Sequence, residues 1–238
     1  MELIHTKLAR SIWLFDLRDL NPTGKDILGD LVGWIQDTYG FPVAPDRENP
    51  APNAPLPTVV QTPQTAPTQA SGGLIFQRGS FQVGQDLIGI NSLTIYDDGI
   101  VVDTASSTDD GDRFAKELLE SAKREFGLAY EPAVVRRKLY LSELIIHSDM
   151  RLETHDPALA TFAQKLPTMF AGGESLRFGV GSIAFWSEPN DAGLHRVISI
   201  ERQLGRSFSE QRFYSQAPMR TIEHLQVLKD FEASVSRR

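Results

Sequence analysis

Two stretches hold side chains that could do chemistry. The first, YDDGIVVDTASSTDDGDRF, carries Asp97, Asp98, Asp103, Asp109, Asp110 and Asp112. The second, IIHSDMRLETHD, carries His147, Asp149, His155 and Asp156. Carboxylate oxygens and imidazole nitrogens together suit a divalent cation, and a bound cation can activate water against a phosphoester. Local duties thin this set. Asp97 and Asp98 precede a glycine between apolar runs, the pattern of a tight hairpin. Asp109 and Asp110 fall where a helix should begin, and its positive end favours acids. Asp103, between Val102 and Thr104 on a strand, has no local duty. These residues define an alternative, catalytic reading, in which Asp103, His147, Asp149 and His155 would do the chemistry; the main reading assigns no catalytic residue and no metal. In the catalytic reading, Asp103, His147 and Asp149 would hold Mg2+ or another divalent cation.

SIWLFDLRDLNPTG, residues 11–24, raises the same question. An apolar strand ending in Asp16 resembles the nucleophile motif of haloacid-dehalogenase-type phosphatases. That motif needs a second acid two residues on, and Arg18 stands there; Asp19 comes one residue too late and points to the other side of a strand. His155-Asp156 resembles the pair of HD-type metal phosphohydrolases. There the pair lies inside a helix, whereas Pro157 makes Asp156 a helix cap. No nucleophile elbow, phosphate loop, dinucleotide fingerprint or His-Glu-x-x-His helix occurs. In RQLGRSFSEQRFYSQAP, Arg206 and Arg212 alternate with Phe208, Phe213 and Tyr214. These types concentrate at protein interfaces. With Trp13 and Phe15 of the N-terminal strand they form the expected interaction set.

The elements that must position these residues follow from periodicity. Residues 12–17 read as a buried strand. A helix follows, with Thr23 as N-cap, Asp26 in its first turn and a stripe of Ile27, Leu28, Leu31, Val32 and Ile35. Gly40 and Pro42 end it. Eight of the chain's fourteen prolines then fall between residues 42 and 70, with almost no large apolar side chains. Such a segment buries too little to offset its ordering entropy and reads as an extended linker. The expected organisation is a strand–helix arm at 1–41, a proline-rich linker at 42–72 and a main domain at 73–238.

In the main domain, strands are expected at 74–78, 81–88, 91–96 and 99–104, parted by RGS, GIN and DDG. A helix spans 108–126, capped by Ser107 or Thr108 and ended by Gly127. A strand at 134–146 comes next, then a short helix from Pro157 whose core face is Leu159, Phe162, Ala163 and Leu166. A hairpin at 176–187 and 195–204, a strand at 211–215 and a helix from Thr221 complete the chain. Strands followed by helices predict an α+β fold. Its sheet would be antiparallel or mixed, with helices mainly on one face and the N-terminal arm added.

The formal charge is −7, which disfavours nucleic acid and anionic membranes as partners. Arg136, Arg137 and Lys138 read as the solvated start of a strand. There is no cysteine, so disulfides, thiol nucleophiles and thiolate metal sites are excluded. No secretory leader or membrane span is legible, and the cytoplasm is the expected compartment. Two functions remain. The first is a non-enzymatic interaction or assembly subunit without a cofactor, using the tethered arm to bind a protein partner or to self-associate as a homo-oligomer. The alternative is a metal-dependent phosphoester hydrolase.

Overall fold

The computed structural model describes residues 1–47, 72–150, 152, 157–170, 176–189 and 196–236. Most of the proline-rich segment lies outside these, as do His155 and Asp156.

The strands are β1 (Glu2–Leu14), β2 (Leu74–Val83), β3 (Asp86–Tyr96), β4 (Gly99–Thr104), β5 (Arg137–His147), β6 (Ser182–Trp186), β7 (Val197–Arg202) and β8 (Arg212–Ala217). They form one antiparallel sheet in the order β2-β3-β4-β1-β5-β8-β7-β6. Among the described residues the α-helices are α1 (Leu17–Leu20), α2 (Leu28–Tyr39), α3 (Thr108–Phe126), α4 (Pro157–Lys165) and α5 (Thr221–Ser236). No described helix is long and apolar enough to cross a membrane. The chain divides into a first unit, Leu8–Tyr140, and a second unit, Leu141–Arg238 with Met1–Lys7.

In the first unit the N-terminal strand belongs to the sheet. It runs antiparallel to β4, from Ala9 opposite Thr104 to Leu14 opposite Gly99. It is far longer than residues 12–17 alone. Alternation explains the extension: Ala9, Ser11, Trp13 and Phe15 are all buried. Two of these are small because α3 crosses closely. Ser11 Oγ donates to the Thr108 carbonyl at 2.9 Å, and a Cβ added to Gly111 would stand 2.8 Å from that oxygen.

The turn Tyr96–Gly99 forms as expected, pairing β3 with β4. Gly99 has φ +152°, and a Cβ there would lie 2.1 Å from the Trp13 carbonyl oxygen. Gly99→Ala should therefore destabilise the unit by about 2–3 kcal/mol, since backbone rather than a flexible side chain must yield. A urea melt unchanged by the substitution would contradict this.

RGS and GIN are not turns. Arg78 takes φ +62° inside β2, and the β3–β4 register shifts between Ile90 and Ser92. Both irregularities are absorbed within long strands. Thr23 is not the cap of α2, which begins at Leu28 with Ile27 at its N-cap. Asn21 explains the delay. Its Oδ1 accepts from the Lys25 amide at 3.1 Å and its Nδ2 donates to the Lys25 carbonyl at 2.8 Å. That clasp holds residues 21–25 in a turn, so no helix can start there. At the other end Gly40 takes the left-handed position, as expected.

Helix α3 matches its expectation closely. Ser107 accepts from the Asp110 amide and Gly127 ends the helix in the left-handed region. Phe114, Leu118, Ala122, Ala115 and Leu119 are its buried stripe. Phe114 meets Tyr39 edge-on at 4.9 Å and Phe81 at 5.3 Å. The flanks of the proline-rich segment both pack in this unit: Phe41 lies 5.5 Å from Phe76, and the Val43 carbonyl accepts from the Gln77 amide.

The second unit has its own core of Leu144, Ile146, Met150, Leu152, Ile200, Phe213, Leu228 and Val235. Its meander β6-β7-β8 pairs with β5 through β8. The two halves of the chain follow one element order. Apart from the four-residue α1, a strand and a helix precede three meandering strands and a closing helix, in β1-α2-β2-β3-β4-α3 and again in β5-α4-β6-β7-β8-α5.

Candidate interaction surface

Strand register decides the surroundings of Asp103. In the first unit Arg10, Asp103 and Ser92 stand in one row across β1, β4 and β3. Arg10 Nε donates to Asp103 Oδ1 at 2.7 Å and Nη2 to Oδ2 at 2.8 Å. Ser92 Oγ adds a bond to Oδ2 at 3.1 Å. Both carboxylate oxygens are occupied by a bidentate guanidinium, the strongest geometry for such a pair. A cation here would have to displace Arg10.

Several other acids of the first unit are also engaged. Asp16 caps α1 and is bound by Arg18, whose guanidinium and amide hold its carboxyl down at about 2. Asp112 gathers Trp13 Nε1 at 2.8 Å, the Tyr140 hydroxyl at 2.9 Å and Lys138 Nζ at 3.4 Å. The Lys138 ammonium also stands 3.6 Å from the Trp13 ring centre. Arg136 reaches Asp19 at 2.8 Å. Arg136 and Lys138 thus tie the start of β5 to its own unit. Tyr39 donates to Glu117, and burial followed by that carboxylate pushes the phenol well above its ordinary range.

The second unit holds the other expected ligands. His147 is half-buried at the end of β5, opposite Arg212, and Asp149 is exposed beyond it. Among the described residues no three His, Asp or Glu are placed to hold a metal.

The interaction set is dispersed. Trp13, Phe15 and Phe213 are buried in core clusters. Phe208 is exposed at the rim, with the Arg202 guanidinium 4.6 Å from its ring centre. Arg206 and Arg212 both approach Glu210, at 3.4 and 3.9 Å. Tyr214 lies under Lys7; burial and then Glu143 raise its phenol above the usual range.

A different group of residues faces solvent. Among the described residues the first unit exposes only Leu28, Val43 and Leu87 as large apolar side chains. The second unit exposes many, including Leu159, Phe162, Met169, Phe170, Phe178, Phe185, Trp186 and Leu204. Leu159 and Phe162 were expected on the core face of their helix. They are instead 52% and 53% exposed, while Ala163 beside them is buried. The second core is filled by strands β5, β7 and β8, by Met150 and Leu152 after β5, and by Leu228 and Val235 of α5. Phe170 and Phe178 stack on one another at 5.4 Å, 14° from parallel. Apolar surface left in water forgoes about 25 cal/mol per Å2, so aromatics gathered in one unit are costly unless something covers them. Searches of protein-family models, curated proteins and solved structures return no match to this chain.

Proposed function

We propose that this protein is a non-enzymatic interaction or assembly subunit, working in the cytoplasm, whose second unit is the docking unit. One observation carries the reading: the second unit exposes a group of large apolar and aromatic side chains that the first unit lacks. The engagement of Asp103, Asp16 and Asp112 by basic or hydroxyl partners supports it, because acids held this way serve the fold. The N-terminal strand is already paired within its own chain. The partner surface is therefore assigned to α4, β6 and the exposed Met169, Phe170 and Phe178 rather than to an arm. The partner is a protein or a second copy, and no cofactor is involved.

The test is a triple variant, Leu159→Ser, Phe162→Ser and Phe170→Ser, in the full chain. These side chains are exposed, so the melting temperature should stay within about 3 °C of wild type. Co-purification with a stoichiometric partner should be lost. Cation-dependent turnover of a phosphoester, abolished by Asp149→Asn, would overturn the reading.

A further inference from the structure

Two charged side chains that line one pocket of the first unit have nothing to pair with. Asp98 and Arg137 are both exposed. Among the described residues neither side chain has a hydrogen-bond or ion-pair partner. Their neighbours are different: Arg136 is held by Asp19 at 2.8 Å and Asp16 by Arg18 at 2.8 Å.

The pocket forms where β1 ends between two other stretches of chain. On the β4 side the Phe15 amide donates to the Asp98 carbonyl at 3.0 Å. On the β5 side the Arg136 amide donates to the Leu14 carbonyl at 2.9 Å. These backbone bonds fix both walls of an open pocket of about 290 Å3. Leu14, Phe15, Asp16, Asp98, Arg136 and Arg137 line it. Asp98 and Arg137 flank β1 from opposite sides, two strand spacings or roughly 10 Å apart along the backbone. They do not pair across that gap.

The lining selects the ligand. Arg18 neutralises Asp16, and Asp19 neutralises Arg136. One carboxylate and one guanidinium remain, on facing walls. A dianion would meet Asp16 and Asp98, and a dication would meet Arg136 and Arg137; like charges at short range repel. A ligand with one charge of each sign satisfies both walls. Guanidinium suits a carboxylate, which it can bind through two parallel hydrogen bonds. Asp98, acceptor-only when ionised, suits an ammonium. Leu14 and Phe15 add apolar surface. The volume falls just below the ~300–1,000 Å3 of drug-sized sites, so the ligand is small.

We propose that this pocket binds a free α-amino acid with an apolar side chain. Its carboxylate sits on Arg137, its ammonium on Asp98 and its side chain against Leu14. The site goes beyond the docking reading and does not rest on it, since every residue belongs to the first unit.

Titration of the isotope-labelled full chain with L-leucine, followed by amide NMR, tests this. The Phe15, Gly99 and Arg137 signals should shift saturably in the millimolar range. N-acetyl-L-leucine lacks the ammonium and L-leucinamide lacks the carboxylate. Each should bind at least about tenfold more weakly, the usual worth of a charge-assisted hydrogen bond. Arg137→Met and Asp98→Asn should weaken L-leucine by a similar factor and leave the melting temperature unchanged. Both positions are exposed, and Asn-Gly serves a tight turn as well as Asp-Gly. Should Asp98→Asn disturb the turn, Arg137→Met and the two blocked compounds decide the matter. No saturable shift with L-leucine, equal binding of the blocked compounds, or wild-type affinity in Arg137→Met overturns the proposal.

Discussion

Replacing Asp103 by Asn should destabilise the first unit by about 3–5 kcal/mol, the usual cost of leaving a largely buried charge without its partner. The Arg10 and Asp103 side chains are only 13% and 12% exposed, so solvent screens the pair weakly. Asn at 103 keeps the shape and loses the charge that Arg10 Nε and Nη2 bond. The double variant Arg10→Met, Asp103→Leu should recover most of the loss, because a well-packed apolar pair removes both desolvation costs at once. Urea melts of the wild type, Arg10→Met, Asp103→Leu and the double variant give the cycle directly. If Asp103 were a metal ligand, the double variant would remain as impaired as the single one, and added Mg2+ would stabilise the wild type. The pair interpretation expects no such shift.

The second large effect is in the pH dependence of the second unit. His224, on α5, is fully buried, and its Nε2 lies 2.9 Å from Ser215 Oγ. The Ser215 hydroxyl already donates its only proton to the Ser199 carbonyl at 2.7 Å. The ring must therefore carry its proton on Nε2 and donate to Ser215, while Nδ1 is left buried with no hydrogen-bond partner. Burial lowers the imidazole from 6.5 to about 4. The sign follows. The folded value lies below the unfolded one, so the unfolded chain takes up the proton first. The stability due to the neutral ring is whole above about pH 6.5 and is lost as pH falls towards 4. The full effect is roughly 3 kcal/mol at 1.36 kcal/mol per pH unit. Denaturant midpoints at pH 7 and pH 4.5 should differ markedly in the wild type. His224→Gln keeps a donor towards Ser215 without a titrating ring and should lose most of that difference. An equal pH slope in both proteins would contradict the assignment.

How far the sequence foretold this structure can be judged element by element. Helix α3 was legible because its signals are local: Ser107 before it, acids in its first turn, a 3.6-residue stripe and Gly127 after it. The Asp97-Asp98 turn and the start of α5 at Thr221 were legible for the same reason. β1 was cut short because its buried positions include Ala9 and Ser11, whose small size reflects the approach of Gly111 from a hundred residues away. The turns expected at RGS and GIN failed because a long strand can hold a left-handed residue or a register shift without ending. Asp103 had no local duty for a similar reason: its partner Arg10 is 93 residues distant, and only the β1–β4 register joins them. The expected site mixed core with surface. Trp13, Phe15 and Phe213 have the residue types of an interface hot spot, yet the same types fill cores. Leu159 and Phe162 erred in the opposite direction. Their helical spacing encodes a face to be covered, and periodicity does not say whether this chain or another one covers it.

Cross-linking mass spectrometry in native extract, using an amine-reactive reagent, tests the central claim most directly. Lys165 closes α4, one turn from the exposed Phe162, and Lys116 lies exposed on α3 of the first unit. The account predicts intermolecular links concentrated at Lys165 and sparse at Lys116. Links spread evenly over both lysines, or absent from Lys165, would contradict it.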